Sequence, residues 1–414
     1  NGFVGNQITV NGCGYESTSN IRIKLGSTPT ITEWSANNNG TFTTVFTIDS
    51  QSYGSKTVTA YQNPDNTKNA ANQIFIKSRI ISVTPDSATV GVIITISGNG
   101  YGVSENVYLD FGNMAAVANY KTSEYGTFTG NFVVNTQVYG TCTVRIYPLP
   151  ASDLRHEYTT YMNIRGAIYR VEPTSGGVGR VVTIWGNGFG NGEQVSVKFG
   201  THADIATTTA AGDGKFSSSF TVDTQGFGTT TITVKGGTTN EQAENIFIIK
   251  GSITYLSPII GIVGTSVTIK GDGFGASETI RISLGKNTTI TAISSNIAGS
   301  FTTSFTIDTQ SYGTKTVQAY GVISGTSDIA GLRILPKIID ITPTTGTIGT
   351  VVTVVGNGYI SSIGIRTDIG LTENIAIQPP GAQASGDGTF SITFVVDDEP
   401  LGTNTVTVWS IGNL

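Results

Sequence analysis

The residues best suited to chemistry are few and scattered. The two histidines, His156 and His202, and the two cysteines, Cys13 and Cys142, lie far apart and match no zinc-ligand spacing. The sequence holds no Gly-x-Ser-x-Gly elbow, no phosphate loop and no His-Glu-x-x-His pair. Its many Gly-x-Gly runs follow apolar stretches but open no helical pattern, so they read as turns rather than dinucleotide loops. One polar constellation does recur. A short acid or amide stands two residues before a glutamine at Asp49 and Gln51, Asn135 and Gln137, Asp223 and Gln225, and Asp308 and Gln310, and the last copy has Asp397 and Glu399. Such an acid either caps the backbone amides of a turn or, helped by backbone carbonyls, holds calcium. One acid per copy is thin for a calcium shell, and asparagine caps as well as aspartate, so capping is the preferred reading and calcium the alternative. No catalytic, cofactor-binding or metal-ligating residue is assigned, and the chain reads as a non-enzyme. Two sequons, Asn39-Gly40-Thr41 and Asn287-Thr288-Thr289, mark Asn39 and Asn287 as acceptors for N-linked sugar. Trp34, Trp185 and Trp409 fall at unequal places and read as isolated half-buried rings rather than a sugar-binding platform.

The elements that carry these residues repeat. An aromatic follows glycine at Tyr15, Tyr101, Phe189, Phe274 and Tyr359, at spacings of 86, 88, 85 and 85. Gly-x-Phe recurs at Phe42, Phe128, Phe216, Phe301 and Phe390, at spacings of 86, 88, 85 and 89. A third marker, aromatic then glycine, stands at Tyr53, Tyr139, Phe227 and Tyr312, with Leu401 as the fifth copy. Three markers in one register establish an internal repeat. Between them apolar and polar residues alternate, as in Ile94-Thr95-Ile96, Val182-Thr183-Ile184 and Val267-Thr268-Ile269. Period two with one apolar face predicts half-buried antiparallel strands, about seven per repeat. Asn-Gly and Asp-Gly pairs punctuate them as tight turns. The predicted repeats span 1–78, 79–164, 165–250, 251–336 and 337–414. Closing strands such as Ile74-Phe75-Ile76 run almost directly into the next opening segment, which predicts a stiff, elongated rod.

Composition agrees. In 414 residues only 12% are charged and 53 are glycine, which suits many short strands and turns. The net charge of −5 with no Lys/Arg run argues against nucleic acid. No apolar stretch is long enough for a membrane helix. The two cysteines fall in different repeats, so they read as isolated small thiols or, alternatively, as a bridge between repeats or chains.

The run Ile341-Thr342-Pro343-Thr344-Thr345-Gly346-Thr347-Ile348-Gly349, closing on Gly356-Asn357-Gly358-Tyr359, resembles immunoglobulin-like domains of the IPT/TIG type. The resemblance covers nearly the whole chain. It implies an all-β tandem array of about five immunoglobulin-like sandwiches from a bacterial or archaeal surface protein, and it carries over no functional residue. The expected role is an extracellular, cell-surface structural protein: a subunit or segment of a filament or surface layer that associates with itself. One alternative is an adhesin that meets a carbohydrate or protein through a divergent repeat, with Pro148–His156 of repeat 2 and Gln378–Ala382 of repeat 5 as contact loops. Another is the accessory array of a larger secreted enzyme. Repeat 1 lacks the Thr-Pro opening strand and repeat 5 the closing strand, which reads as a piece of a longer array, assembled side by side.

Overall fold

The computed structural model describes residues 1–64, 68–148 and 156–411. Among them every regular element is a β-strand.

Repeat 3 shows the pattern. In one sheet Val181–Asn187 lies between Ala167–Glu172 and Phe216–Thr221, all antiparallel. Facing it is a sheet with the order Ser175–Gly176, Gln242–Ile249, Gly228–Gly236, Gln194–Phe199 and His202–Thr209. Alternation in the sequence becomes alternation in space: Val195, Val197 and Phe199 are fully buried, while Gln194 and Lys198 face water. The opening strand stops at Pro173, which has no N–H to give a ladder. The chain then crosses to the second sheet, where Ser175–Gly176 pairs in parallel with the closing strand. This crossing gives eight strands where seven were expected, because one sequence segment serves both sheets. Two sheets packed over a common core, antiparallel but for that one short pair, are an immunoglobulin-like sandwich, and repeats 2 and 4 have the same strand order.

The buried apolar residues form five separate clusters. At the heart of each, the first marker packs edge-on against the second: Tyr15 on Phe42, Tyr101 on Phe128, Phe189 on Phe216, Phe274 on Phe301 and Tyr359 on Phe390, with ring centroids 4.8 to 5.5 Å apart.

Repeats 1 and 5 differ from the others. In repeat 1, Gln7–Gly12 pairs with Phe42–Thr47 alone. In repeat 5 the strand that takes the place of His202–Thr209 changes sheets. Ile377–Gln378 pairs with Phe390–Val395, leaving Ile365–Ile369 and Val406–Ser410 as a two-stranded sheet. In repeats 1 to 4 a two-residue turn, such as Gly200-Thr201, folds the chain straight back into that strand. In repeat 5, Pro379 and Pro380 end the strand after two residues, since neither can donate to a ladder.

Candidate functional site: the junction between repeats

The aromatic-glycine marker lies in the turn at the far end of each repeat. There its backbone N–H donates to the carbonyl of the first-marker aromatic of the next repeat. The bonds run from Tyr53 to Tyr101 (2.8 Å), Tyr139 to Phe189 (3.1 Å), Phe227 to Phe274 (2.8 Å) and Tyr312 to Tyr359 (2.9 Å). The same four aromatics donate their own N–H to the glycine that precedes the Gly-x-Phe strand: Gly126, Gly214, Gly299 and Gly388. That glycine has to be glycine for two reasons. At Gly299 the backbone is left-handed, with φ +75°, and a Cβ there would stand 2.0 Å from the Phe274 carbonyl oxygen and 3.0 Å from Cα of Gly226 in the preceding repeat. Equivalent approaches recur at Gly126, Gly214 and Gly388. The three markers are therefore one contact, repeated four times.

Behind this contact lies the acid–glutamine pair. Here the structure corrects the expectation that the acid caps backbone amides. The carboxylate instead accepts the glutamine amide, from Gln51 to Asp49 (2.8 Å), Gln225 to Asp223 (2.6 Å) and Gln310 to Asp308 (2.9 Å), and Asn135 accepts from Gln137 (2.7 Å). The same amide reaches across the sandwich to the end of the strand that matches Gln194–Phe199 in each repeat, to the carbonyls of Leu25, Phe111, Phe199 and Leu284. The second oxygen of each acid meets a side chain of that strand's turn: Thr28 at Asp49, His202 at Asp223 and Asn287 at Asp308. In repeat 5, Glu399 takes the place of glutamine and accepts the N–H groups of Leu371 and Thr372, both at 3.2 Å. The pair thus ties two turns together just before the junction. Among the described residues no three His, Cys, Asp or Glu side chains gather as metal ligands would.

A second carboxylate went unnoticed in the sequence. Glu278, 1% exposed, accepts N–H groups from Gly275 (2.5 Å), Ile323 (2.9 Å) and Ser324 (2.8 Å) and the Ser324 hydroxyl (2.7 Å). Glu193 does the same for Gly190, Thr238 and Thr239. Burial pushes both carboxyls up, but the donors facing them outweigh it and hold both below the usual glutamate range. The signal was an aromatic-Gly-x-x-Glu spacing, present at Phe189–Glu193 and Phe274–Glu278 and also at Tyr101–Glu105.

The remaining residues stay apart. His156 packs against Tyr53 across the first junction, with the rings tilted by 42° and their centroids 3.7 Å apart, and sits 3.3 Å from Glu105. Most of the proposed Pro148–His156 loop, 149–155, lies outside the described residues. Asn39 is exposed in a turn, and Asn287 is exposed at the start of its strand. Cys13 and Cys142 are free thiols. Burial pushes Cys142 up to about 11. Trp34 and Trp409 are about half exposed and Trp185 lies under Arg170. No helix among the described residues is long and apolar enough to cross a membrane.

Comparisons add little to this geometry. No family model matches the chain, and no curated protein matches it in sequence. Among solved structures it is similar to the four-domain ectodomain fragment of ICAM-5, at 16% identity over 81% of this chain and 97% of that one, with a TM-score of 0.22. It is also similar to the eight N-terminal Ig domains of DSCAM, at 12% identity over 96% and 67%, with a TM-score of 0.18. A third is invasin, a bacterial integrin-binding protein, at 15% identity over 81% and 80%, with a TM-score of 0.21. Scores this low carry no argument about function.

Proposed function

We propose that this chain is an extracellular structural protein, a subunit or segment of a cell-surface filament or surface layer that works through contacts between repeats and between chains, without catalysis. The observation that carries the reading is the junction. Four times over, the same N–H meets the same carbonyl, over a glycine turn that a single methyl group would break. A contact reproduced at every joint fixes the relation of neighbouring modules, as a scaffold needs and a flexible tether does not. Abundant threonine suits the outward, water-facing faces of strands. Electron microscopy of purified chain at rising concentration tests the reading. Threads or sheets of regular width are expected, and dispersed single molecules at every concentration would refute it.

A binding role has one specific observation in its favour. In repeat 2 the partly exposed Tyr108 stacks on the buried Tyr147 with centroids 6.1 Å apart, and Arg145, which covers Tyr147, bridges Asp110 (3.2 Å) and Glu157 (2.7 Å). One partly exposed ring beside paired carboxylates and an arginine suits a glycan or protein contact. Glycan-array binding lost on Arg145→Ala would favour this second reading.

A further inference from the structure

Each junction gathers the same backbone places: the two-residue turn beside the acid–glutamine pair, the residue three past the aromatic-glycine marker, and the turn ahead of the next Gly-x-Phe strand. The side chains at those places differ. The first junction has Ser27 and Lys56 with Glu124 and Tyr125, and the second has Asn113 and Cys142 with Gly212 and Asp213. The third has Thr201 and Thr230 with Ile297 and Ala298, and the fourth has Lys286 and Lys315 with Gly386 and Asp387. Only the fourth puts lysine at both of the first two places, and it has a glycine where the first has glutamate and the third isoleucine. There the joint opens on a cavity of about 200 Å³ lined by Lys286, Asp308, Ser311, Lys315, Gly386 and Asp387.

The charges around this cavity are unevenly answered. Asp308 accepts Gln310 on one oxygen and Asn287 on the other. Asp387 accepts Ser385 and Thr389 on one oxygen only, so its second oxygen keeps its lone pairs for another donor. Lys315 gives one hydrogen to the Ser311 hydroxyl (2.8 Å). Among the described residues neither Lys286 nor Lys315 is ion-paired. Burial and then the neighbouring Lys286 ammonium hold Lys315 below the usual lysine range, so the two positive charges crowd one another.

We propose that the cavity at the fourth junction binds one acidic sugar unit, a uronic acid, whose carboxylate bridges Lys286 and Lys315 while a ring hydroxyl donates to the open oxygen of Asp387. A carboxylate answers both ammonium groups at once, and such charge-assisted bonds are about twice as strong as neutral ones. A simple anion would meet the lysines but give Asp387 no hydrogen, and a neutral sugar would do the reverse. The cavity is smaller than the pockets of about 300–1,000 Å³ that enclose drug-sized ligands, which limits the occupant to about one ring. This site lies apart from the repeat-2 cluster and goes beyond the structural role.

The test is calorimetric titration of the full chain with sodium glucuronate, and separately with glucose and sodium sulfate. Saturable glucuronate binding is expected, at least about tenfold tighter than either other probe, since a hydrogen bond to a charged group is worth about that factor or more. Lys286→Ala should weaken it by about the same factor. Gly386→Glu leaves both lysines in place. A Cβ there meets nothing within 4 Å and the backbone is not left-handed, so the variant should keep the parent's urea midpoint. Its carboxylate competes for the lysines and should abolish binding, whereas Gly386→Gln should retain more of it. Arg145→Ala should bind as the parent does. Oligogalacturonate that binds more tightly than the single sugar assigns the site to an acidic polysaccharide, and weaker binding assigns it to the free sugar acid; either result keeps the site. No saturable binding, sulfate or glucose binding as tightly as glucuronate, or binding that survives both Lys286→Ala and Gly386→Glu overturns it.

Discussion

Replacing Gly299 by alanine isolates the energetics of a junction. The new methyl group meets a left-handed backbone, at φ +75°, which costs a non-glycine residue about 1–2 kcal/mol. It also stands 2.0 Å from the Phe274 carbonyl oxygen, which is backbone and cannot swing aside. The turn therefore moves, and the bonds from Phe274 N to Gly299 O (3.0 Å) and from Phe227 N to Phe274 O (2.8 Å) stretch or break. Each is worth about 1 kcal/mol net, so the total is roughly 3–4 kcal/mol. Gly325 supplies the control. Its φ is +70°, but a Cβ there meets nothing within 4 Å. Gly325→Ala, in the same repeat, should cost about 1–2 kcal/mol from the backbone alone. Calorimetry of the two variants should separate the repeat-4 transition by about 10 °C. Hydrogen exchange at the Phe227 amide should quicken only in Gly299→Ala. If the two variants unfold within about 1 kcal/mol of each other by urea titration, the carbonyl contact does not hold the joint and the reasoning fails.

Other consequences are directly measurable. Glu278→Gln turns an amide group towards donors that a carboxylate satisfied, and should destabilise repeat 4 by about 2–4 kcal/mol in chemical denaturation. Glu193 and Glu278 are held below their ordinary pKa, so their stabilisation is fully present above the unfolded glutamate value, about 4.3, and is lost as pH falls through the lower folded value. Melting temperature should therefore drop more steeply between pH 5 and pH 2 in the parent chain than in Glu278→Gln, and parallel curves would contradict the assignment. A thiol reagent should label Cys13 quickly in the native chain and Cys142 only after denaturant is added, since Cys142 is buried and its thiol raised to about 11. Fast labelling of both would mean that the repeat-2 core opens readily.

The strand pattern was legible because burial acts on residues two apart, as Val195, Val197 and Phe199 show. The meaning of the markers was not. Tyr53, Tyr101 and Gly126 stand out as a spacing, yet what joins them is a bond across two repeats, and spacing carries no information about partners so far apart in the chain. The acid of Asp308-Thr309-Gln310 was read as a local cap because local partners are the ones a sequence displays; its glutamine reaches Leu284, 26 residues away. Glu278 escaped notice because repeats 1 and 5 have no glutamate at that place, and a search for features common to all copies passes over one found in three. The two prolines of repeat 5 flagged an irregular stretch, but the exchange of a strand between sheets depends on which neighbour offers free hydrogen-bonding groups.

The parallel pairing of Ser175–Gly176 with the closing strand, matched by Ser87–Ala88 and Ile260–Gly261, decides how these repeats respond to being pulled. Tension along the chain enters a repeat at its opening segment and leaves through its closing strand. Because those two segments lie side by side and point the same way, the pull runs along them, and their hydrogen bonds to each other must slide together instead of parting one at a time. Lys250 N to Gly176 O (2.9 Å) and Ile248 N to Thr174 O (3.1 Å) extend that clasp beyond the two paired residues. A pulled repeat would first strain the antiparallel pairing of its opening strand, and behind it this short clasp, loaded in shear, would be the barrier that has to give way before the sandwich opens.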